Sequence, residues 1–159
     1  MGAMKKLTKH LTYDAPAAAV TTMLDDPAFR REVLDRQKVV RGSVDIDGDV
    51  AIIEQVRSAG DIPSFARSFV GDEIVIVQRE MWTSPTSADL HLAITGKPGE
   101  AVGSLTLTES GGTTTQTVVL EVSARIPLIG GKIEGMVADL LGEAYDREHE
   151  VGVEWLASR

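Results

Sequence analysis

The chain has 159 residues, 43% hydrophobic and 25% charged, which suits one globular domain with an ordinary core and leaves no room for a second of similar size. It has no cysteine, so disulfide frameworks, thiolate nucleophiles, iron–sulfur clusters and cysteine-bearing zinc sites are excluded. Sixteen basic against 24 acidic residues give a net charge of -8, which opposes attraction to phosphate backbones or anionic lipid surfaces, so no nucleic-acid partner is expected.

Met1 to Ala3 read as an expression scar before Met4, and a single domain is expected over residues 5–157. The lysines of the opening MGAMKK are followed by no apolar signal core, and no run of about 18 apolar residues occurs anywhere. A cytoplasmic protein without integral membrane association, monomeric or weakly dimeric, is therefore expected. The excess of basic residues in the first 41 positions reads as solvated helix surface.

Lys6 to Tyr13 alternates Leu7, Lys9, Leu11 and Tyr13 against Thr8, His10 and Thr12, the period of a strand. Asp14 ahead of Ala15-Pro16 and Asp26 ahead of Pro27 are helix-start signals, and they predict short helices near 16–24 and 27–36. Val39 to Ile46 and Val50 to Arg57 flank Asp47-Gly48, where glycine supplies the positive φ of a tight hairpin. Residues 59–71 interrupt the pattern with Gly60, Pro63 and Gly71, while Phe65 and Phe69 stand one helical turn apart, so a loop with a helical piece is expected. Glu73 to Trp82, Ala88 to Thr95, Val102 to Glu109 and Thr113 to Arg125 then form an antiparallel meander punctuated by turn residues. Beyond Pro127, apolar residues from Ile129 through Ile133, Val137, Leu141 and Val151 to Trp155 recur at helical spacing, and acids are assigned to the opposite face.

This α+β order, with YDAPAAAV opening one short helix and DPAFRREVL the next, resembles the helix-grip fold of the START-like (SRPBCC) superfamily. The segments DPAFRREV, IPSFARSFVGDEIVIVQREMW and above all RIPLIGGKIEGMVADLL are similar to a subfamily, found mostly in actinobacteria, known as a domain of unknown function. The likeness covers Lys5 to Leu156. It implies a curved seven-stranded antiparallel sheet wrapped around a long C-terminal helix, with two short helices after the first strand. It also implies a cavity between sheet and helix, which in relatives holds lipids, sterols, polyketides or plant hormones. Some relatives are aromatases or cyclases and others carry or sense a ligand; they share no catalytic motif, so none is carried over.

Motifs for other chemistries fail on inspection. Gly130-Gly131-Lys132 lacks the glycine and hydroxyl residue of a phosphate loop, because Ile126 and Ile133 occupy those positions. Asp45, Asp47 and Asp49 resemble a calcium loop, but Val50 and Val56 stand where glycine and a bidentate glutamate belong; they read as turn acids. His149-Glu150 has Val153 where a zinc helix needs its second histidine, so no metal site and no cofactor are expected.

Strand alternation nominates inward groups. Leu90, Leu92 and Ile94 take the inner face and turn His91 outward, and Val118, Leu120, Val122 and Ala124 do the same for the last strand. One face of the two strands before them reads Val50, Ile52, Glu54, Val56 and Ile74, Ile76, Gln78, Glu80, Trp82; the other reads Ala51, Ile53, Gln55, Arg57 and Val75, Val77, Arg79, Met81. Glu54 and Glu80 are read as solvated; with the first face inward, Glu54, Gln78 and Glu80 instead enter the cavity.

In the cavity that the resemblance implies, Phe65 and Phe69 roof the mouth or else plug the sheet end as ordinary core, Met136, Leu140 and Leu141 form the helical wall, and Glu80, Gln78 or Arg67 at the mouth orients the ligand, with Trp82 also nominated for binding. The expected function is binding of a small hydrophobic molecule, lipid or polyketide-like, by a carrier or sensor. An aromatase or cyclase using the same cavity, and a structural or interaction domain with a filled core, are the alternatives.

Overall fold

The computed structural model describes residues 4–159, apart from the side chains of Asp61, Phe69 and Val70. Met1 to Ala3, the expected scar, lie outside the described residues. In chain order the elements are β1 (Lys5–Tyr13), α1 (Ala17–Leu24), α2 (Pro27–Arg36), β2 (Arg41–Asp47), β3 (Val50–Ser58), a 3-10 turn (Ala59–Asp61), α3 (Ser64–Val70), β4 (Glu73–Ser84), β5 (Ser87–Ile94), β6 (Gly99–Ser110), β7 (Thr113–Ala124) and α4 (Gly130–Ala157). Each alternating segment became a strand, because period-two patterns with one apolar face are stable only when that face is covered.

Among the described residues the strands form one antiparallel sheet of order β1-β7-β6-β5-β4-β3-β2, so β2 to β7 run as a meander and β1 closes against the last strand. The long helix lies across the inner face, packed closely on β1, β7, α1 and α2. Its backbone stays further from β3, β4 and β5, and there the interior is least completely filled.

The hairpin between β2 and β3 turns at Gly48 with φ of 59°. Asp26 caps α2 by accepting from the Ala28 amide at 2.9 Å, with Pro27 in the first helical position. The start of α1 departs from expectation. Asp14 lies too far upstream to cap it; the first residue outside the helix is Pro16, and the Ala17 amide instead donates to Glu109 Oε1 of β6 at 2.7 Å.

Among the described residues two apolar clusters make the core. The larger joins α1, α2, β1, the β5–β7 meander and the C-terminal half of α4, with Phe29, Leu90, Leu105 and Leu120 at its centre. The smaller joins the 59–71 segment, the ends of β4, β5 and β7 and the N-terminal half of α4, around Ala66, Ile74, Ile94 and Ile133. Acids were expected on the far face of α4, but Glu134 and Glu148 are buried. Glu134 Oε2 accepts from the Ala124 amide at 2.9 Å and so ties the last strand to the helix that follows it.

Candidate functional site

Register decides which side chains of β3 and β4 face inward. In an antiparallel pair, directly opposed residues share a face, and Ala51 opposes Glu80, Ile53 opposes Gln78, and Gln55 opposes Ile76. The inner faces are therefore Ala51, Ile53 and Gln55 on β3 with Ile74, Ile76, Gln78 and Glu80 on β4. This separates two residues that alternation had placed together: Glu54 is exposed and Glu80 is 1% exposed. The solvated reading holds for Glu54 and is overturned for Glu80.

Glu80 tolerates burial because α2 delivers a partner. Arg30, 2% exposed, donates from Nη2 to Glu80 Oε1 at 2.6 Å and from Nη1 to Oε2 at 2.9 Å, a bidentate pair. Its Nε donates to the Leu24 carbonyl at 2.7 Å. Gln78 Nε2 adds a 2.7 Å bond to Glu80 Oε2, and Trp82 Nε1 a 3.2 Å bond to Oε1. Both oxygens of Glu80 thus accept two hydrogen bonds each, which locks it in a network.

A second buried carboxylate stands beside this pair. Glu148 of α4 accepts from Gln116 Nε2 at 3.1 Å through one oxygen, while the other lies 3.7 Å from Arg30 Nη1, an ion-pair distance beyond hydrogen-bond reach. Burial pushes the Glu148 carboxyl up from its ordinary range; Glu80 adds to the rise, while Arg30, Gln116 and His149 oppose it. Around it the hydroxyls of Tyr13 and Tyr145 and the Oε1 of Gln116 are buried with no hydrogen-bond partner. Burial also raises both tyrosine hydroxyls above their ordinary range, Glu148 adding to it.

Two small cavities separate α4 from the inner faces of β3 to β6. One, of about 30 Å3, has a mixed lining: Arg30, Gln55, Gln78, Tyr145 and Glu148 stand among Val33, Leu34 and Ile53. The other, also about 30 Å3, is bounded by Ile74, Ile76, Leu92, Met136, Leu140 and Leu141 among others and is almost wholly apolar. Leu141 borders both. On the outside of α4 a groove of about 490 Å3 runs beside Pro63, Phe65 and Lys132, and its floor includes Met136 and Leu140, which also wall the apolar cavity.

Of the sequence-nominated residues, Met136, Leu140 and Leu141 converge on the apolar cavity, whereas Gln78 and Glu80 belong to the polar network. Trp82 lies at the end of that network and packs against the larger core cluster, away from the apolar cavity. Phe65 is 41% exposed on α3, with Lys132 Nζ 5.9 Å from its ring centre, so it flanks the outer groove and does not roof the interior. The Phe69 side chain lies outside the described residues. Arg67 bonds the Ile62 and Gly60 carbonyls of its own segment. His91 is exposed and pairs with Glu100 at 3.0 Å.

Sequence reasoning missed Arg30, Tyr13, Gln116, Tyr145 and Glu148. The available signal was helical spacing: Arg30 falls in the stripe of Phe29, Val33 and Leu34, and Glu148 in the stripe of Leu141, Tyr145 and Val151. A charge inside an apolar stripe indicates a partner delivered by another element.

With the geometry in hand, a family model described as "Protein of unknown function (DUF2505)" matches residues 8–156. No curated protein matches the chain. Among solved structures, TTHA0849 from Thermus thermophilus is similar with a TM-score of 0.69 at 16% identity, covering 97% of this chain and 98% of that one. A START superfamily protein from Mycobacterium smegmatis has a TM-score of 0.63 at 16% identity, covering 97% and 99%. The Zhui aromatase/cyclase from Streptomyces sp. R1128 has a TM-score of 0.60 at 12% identity, covering 96% and 90%. These likenesses assign a START-like helix-grip fold. Among the described residues no helix is long and apolar enough to cross a membrane.

Proposed function

The chain belongs to the DUF2505 family, and we propose that it binds a small hydrophobic molecule, lipid or polyketide-like, between the sheet and α4. It acts as a carrier or sensor, in the cytoplasm, as a monomer or weak dimer built on one domain over residues 5–157. The observation that carries this reading is the wall shared by the apolar cavity and the outer groove, formed by Met136 and Leu140. The interior space of about 30 Å3 holds no more than one or two water-sized groups. A ligand site usually needs roughly 300–1,000 Å3, so binding proceeds by these two side chains swinging aside and joining cavity to groove. Methionine suits such a wall, because its unbranched, polarizable chain repacks at low cost.

Protein purified under native conditions and extracted with organic solvent is expected to release a small molecule in stoichiometric amount, detected by mass spectrometry. The molecule should be missing from a control protein and from Leu140→Trp, which plugs the passage. A blank extract followed by thermal stabilisation with members of a lipid and polyketide panel supports a weakly held ligand. A blank extract with no stabilisation overturns the reading in favour of a filled core.

A second reading, an aromatase or cyclase, draws support from Glu148. It has an oxygen without a hydrogen bond, and burial raises its carboxyl above the ordinary range. Turnover lost in Glu148→Gln with binding retained would mark that chemistry.

A further inference from the structure

The cavity beside Tyr145 and Glu148 is too small for a whole ligand, and it gathers polar side chains among apolar ones. It has the size of one functional group, about 30 Å3, and it adjoins the apolar cavity across Leu141. Along β4 the inner face passes from Ile76, which lines the apolar cavity, to Gln78, which lines the other, so an amide enters the lining at the next inward position. A molecule lying along this face with its apolar body on Met136 and Leu140 would bring one end to Tyr145 and Glu148.

The chemistry of that end follows from the groups waiting there. Tyr145 lines the cavity, and its hydroxyl is buried with no partner. Glu148 uses one oxygen on Gln116, and its other oxygen reaches Arg30 only at 3.7 Å. Arg30 is already engaged by Glu80 and the Leu24 carbonyl, so it is a poor receptor for an incoming anion. One guanidinium faces two carboxyl groups in the interior, so wherever both are ionised the surplus repels a third. What satisfies the site is a hydrogen-bond donor, which gives Glu148 a partner while accepting or donating to Tyr145.

We infer that the cavity beside Tyr145 and Glu148 is a head-group subsite for a non-anionic hydrogen-bond donor, a hydroxyl or an ammonium, carried on the end of the hydrophobic molecule. This rests on the hydrophobic-ligand reading above and adds to it the sign and hydrogen-bonding character of the ligand. The test compares decanol, decylamine and decanoate, each below its aggregation limit, by calorimetric titration against the protein and against Glu148→Gln and Tyr145→Phe. Thermal unfolding of each variant is recorded so that only folded protein is compared.

The expected result is that decanol and decylamine bind at least about tenfold more tightly than decanoate. That preference should shrink severalfold in Glu148→Gln, and decanol should weaken in Tyr145→Phe. The variant comparison removes the general attraction of an acidic protein for an amine, since the surface is the same in each. Decanoate binding as well as or better than the other two overturns the head-group assignment and leaves the hydrophobic site standing. So does a preference that survives intact in Glu148→Gln. Failure of all three to bind overturns the hydrophobic-ligand reading itself, and the subsite falls with it.

Discussion

Arg30 is the residue on which the interior polar chemistry turns. It neutralises Glu80 through two short bonds, holds the end of α1 through the Leu24 carbonyl, and supplies the nearest positive charge to Glu148. Arg30→Met keeps much of the volume but leaves two carboxylates in a medium of low dielectric, and it is expected to cost about 3–5 kcal/mol in urea unfolding. Adding Glu80→Gln should cost less than the sum of the single changes, because the charge stranded by the first is removed by the second. A loss under about 1 kcal/mol for Arg30→Met would mean that the network is solvated in solution. Glu148 gives the pH dependence. Burial raises its carboxyl, so the folded protein keeps that proton to higher pH than the unfolded chain does. The stability this group contributes is complete below its unfolded value and is lost as pH rises through the folded one. Relative to Glu148→Gln, the protein should lose up to about 1.4 kcal/mol per pH unit across that window and match the variant below it. Thermal unfolding of both from about pH 4 to 8 checks this, and a difference that does not change with pH would contradict it.

At the scale of elements, the sheet is shaped where β6 meets β7. Gly103 opposes Leu120, and a Cβ built on it would stand 1.7 Å from the Val119 carbonyl oxygen. The neighbouring backbone occupies the space where a side chain would begin, a place only glycine can take. Gly103→Ala cannot be relieved by a rotamer change, because the obstacle is main chain, and a loss of about 3 kcal/mol or more is expected, measured as a lower Tm. A variant with unchanged Tm would show that the strands separate here at little cost. The elements themselves were legible from the sequence. Alternation located all seven strands and helical spacing located α4, because each has one face to bury. The start of α1 was not, since the partner of its first amide arrives from Glu109 on a strand that is distant in sequence.

For the whole molecule, what sequence left unreadable is what arises between elements. Period-two patterns give two faces to β3 and two to β4 but not which pair is inward; that depends on register, and so Glu54 and Glu80 could not be separated. The polar network is assembled from β1, α2, β4, β7 and α4, and none of its members has its main partner within a turn of itself except Gln78 and Trp82 with Glu80. The apolar wall was easier to find. Met136, Leu140 and Leu141 sit close together on one helix, so local spacing was enough.

The order of the sheet also bears on how the chain is made. The meander from β2 to β7 can zip hairpin by hairpin as it emerges, each strand meeting the one just before it. The first strand cannot: Lys5 pairs with Val122 and Tyr13 with Thr114, so a nascent chain carries β1 without a partner until β7 has left the ribosome. Lys5, Lys6 and Lys9 give that waiting strand the charge that discourages pairing with another copy. Pairing of β1 with β7 thus has to wait for the last strand to be made, and the packing of α4 on both waits longer still.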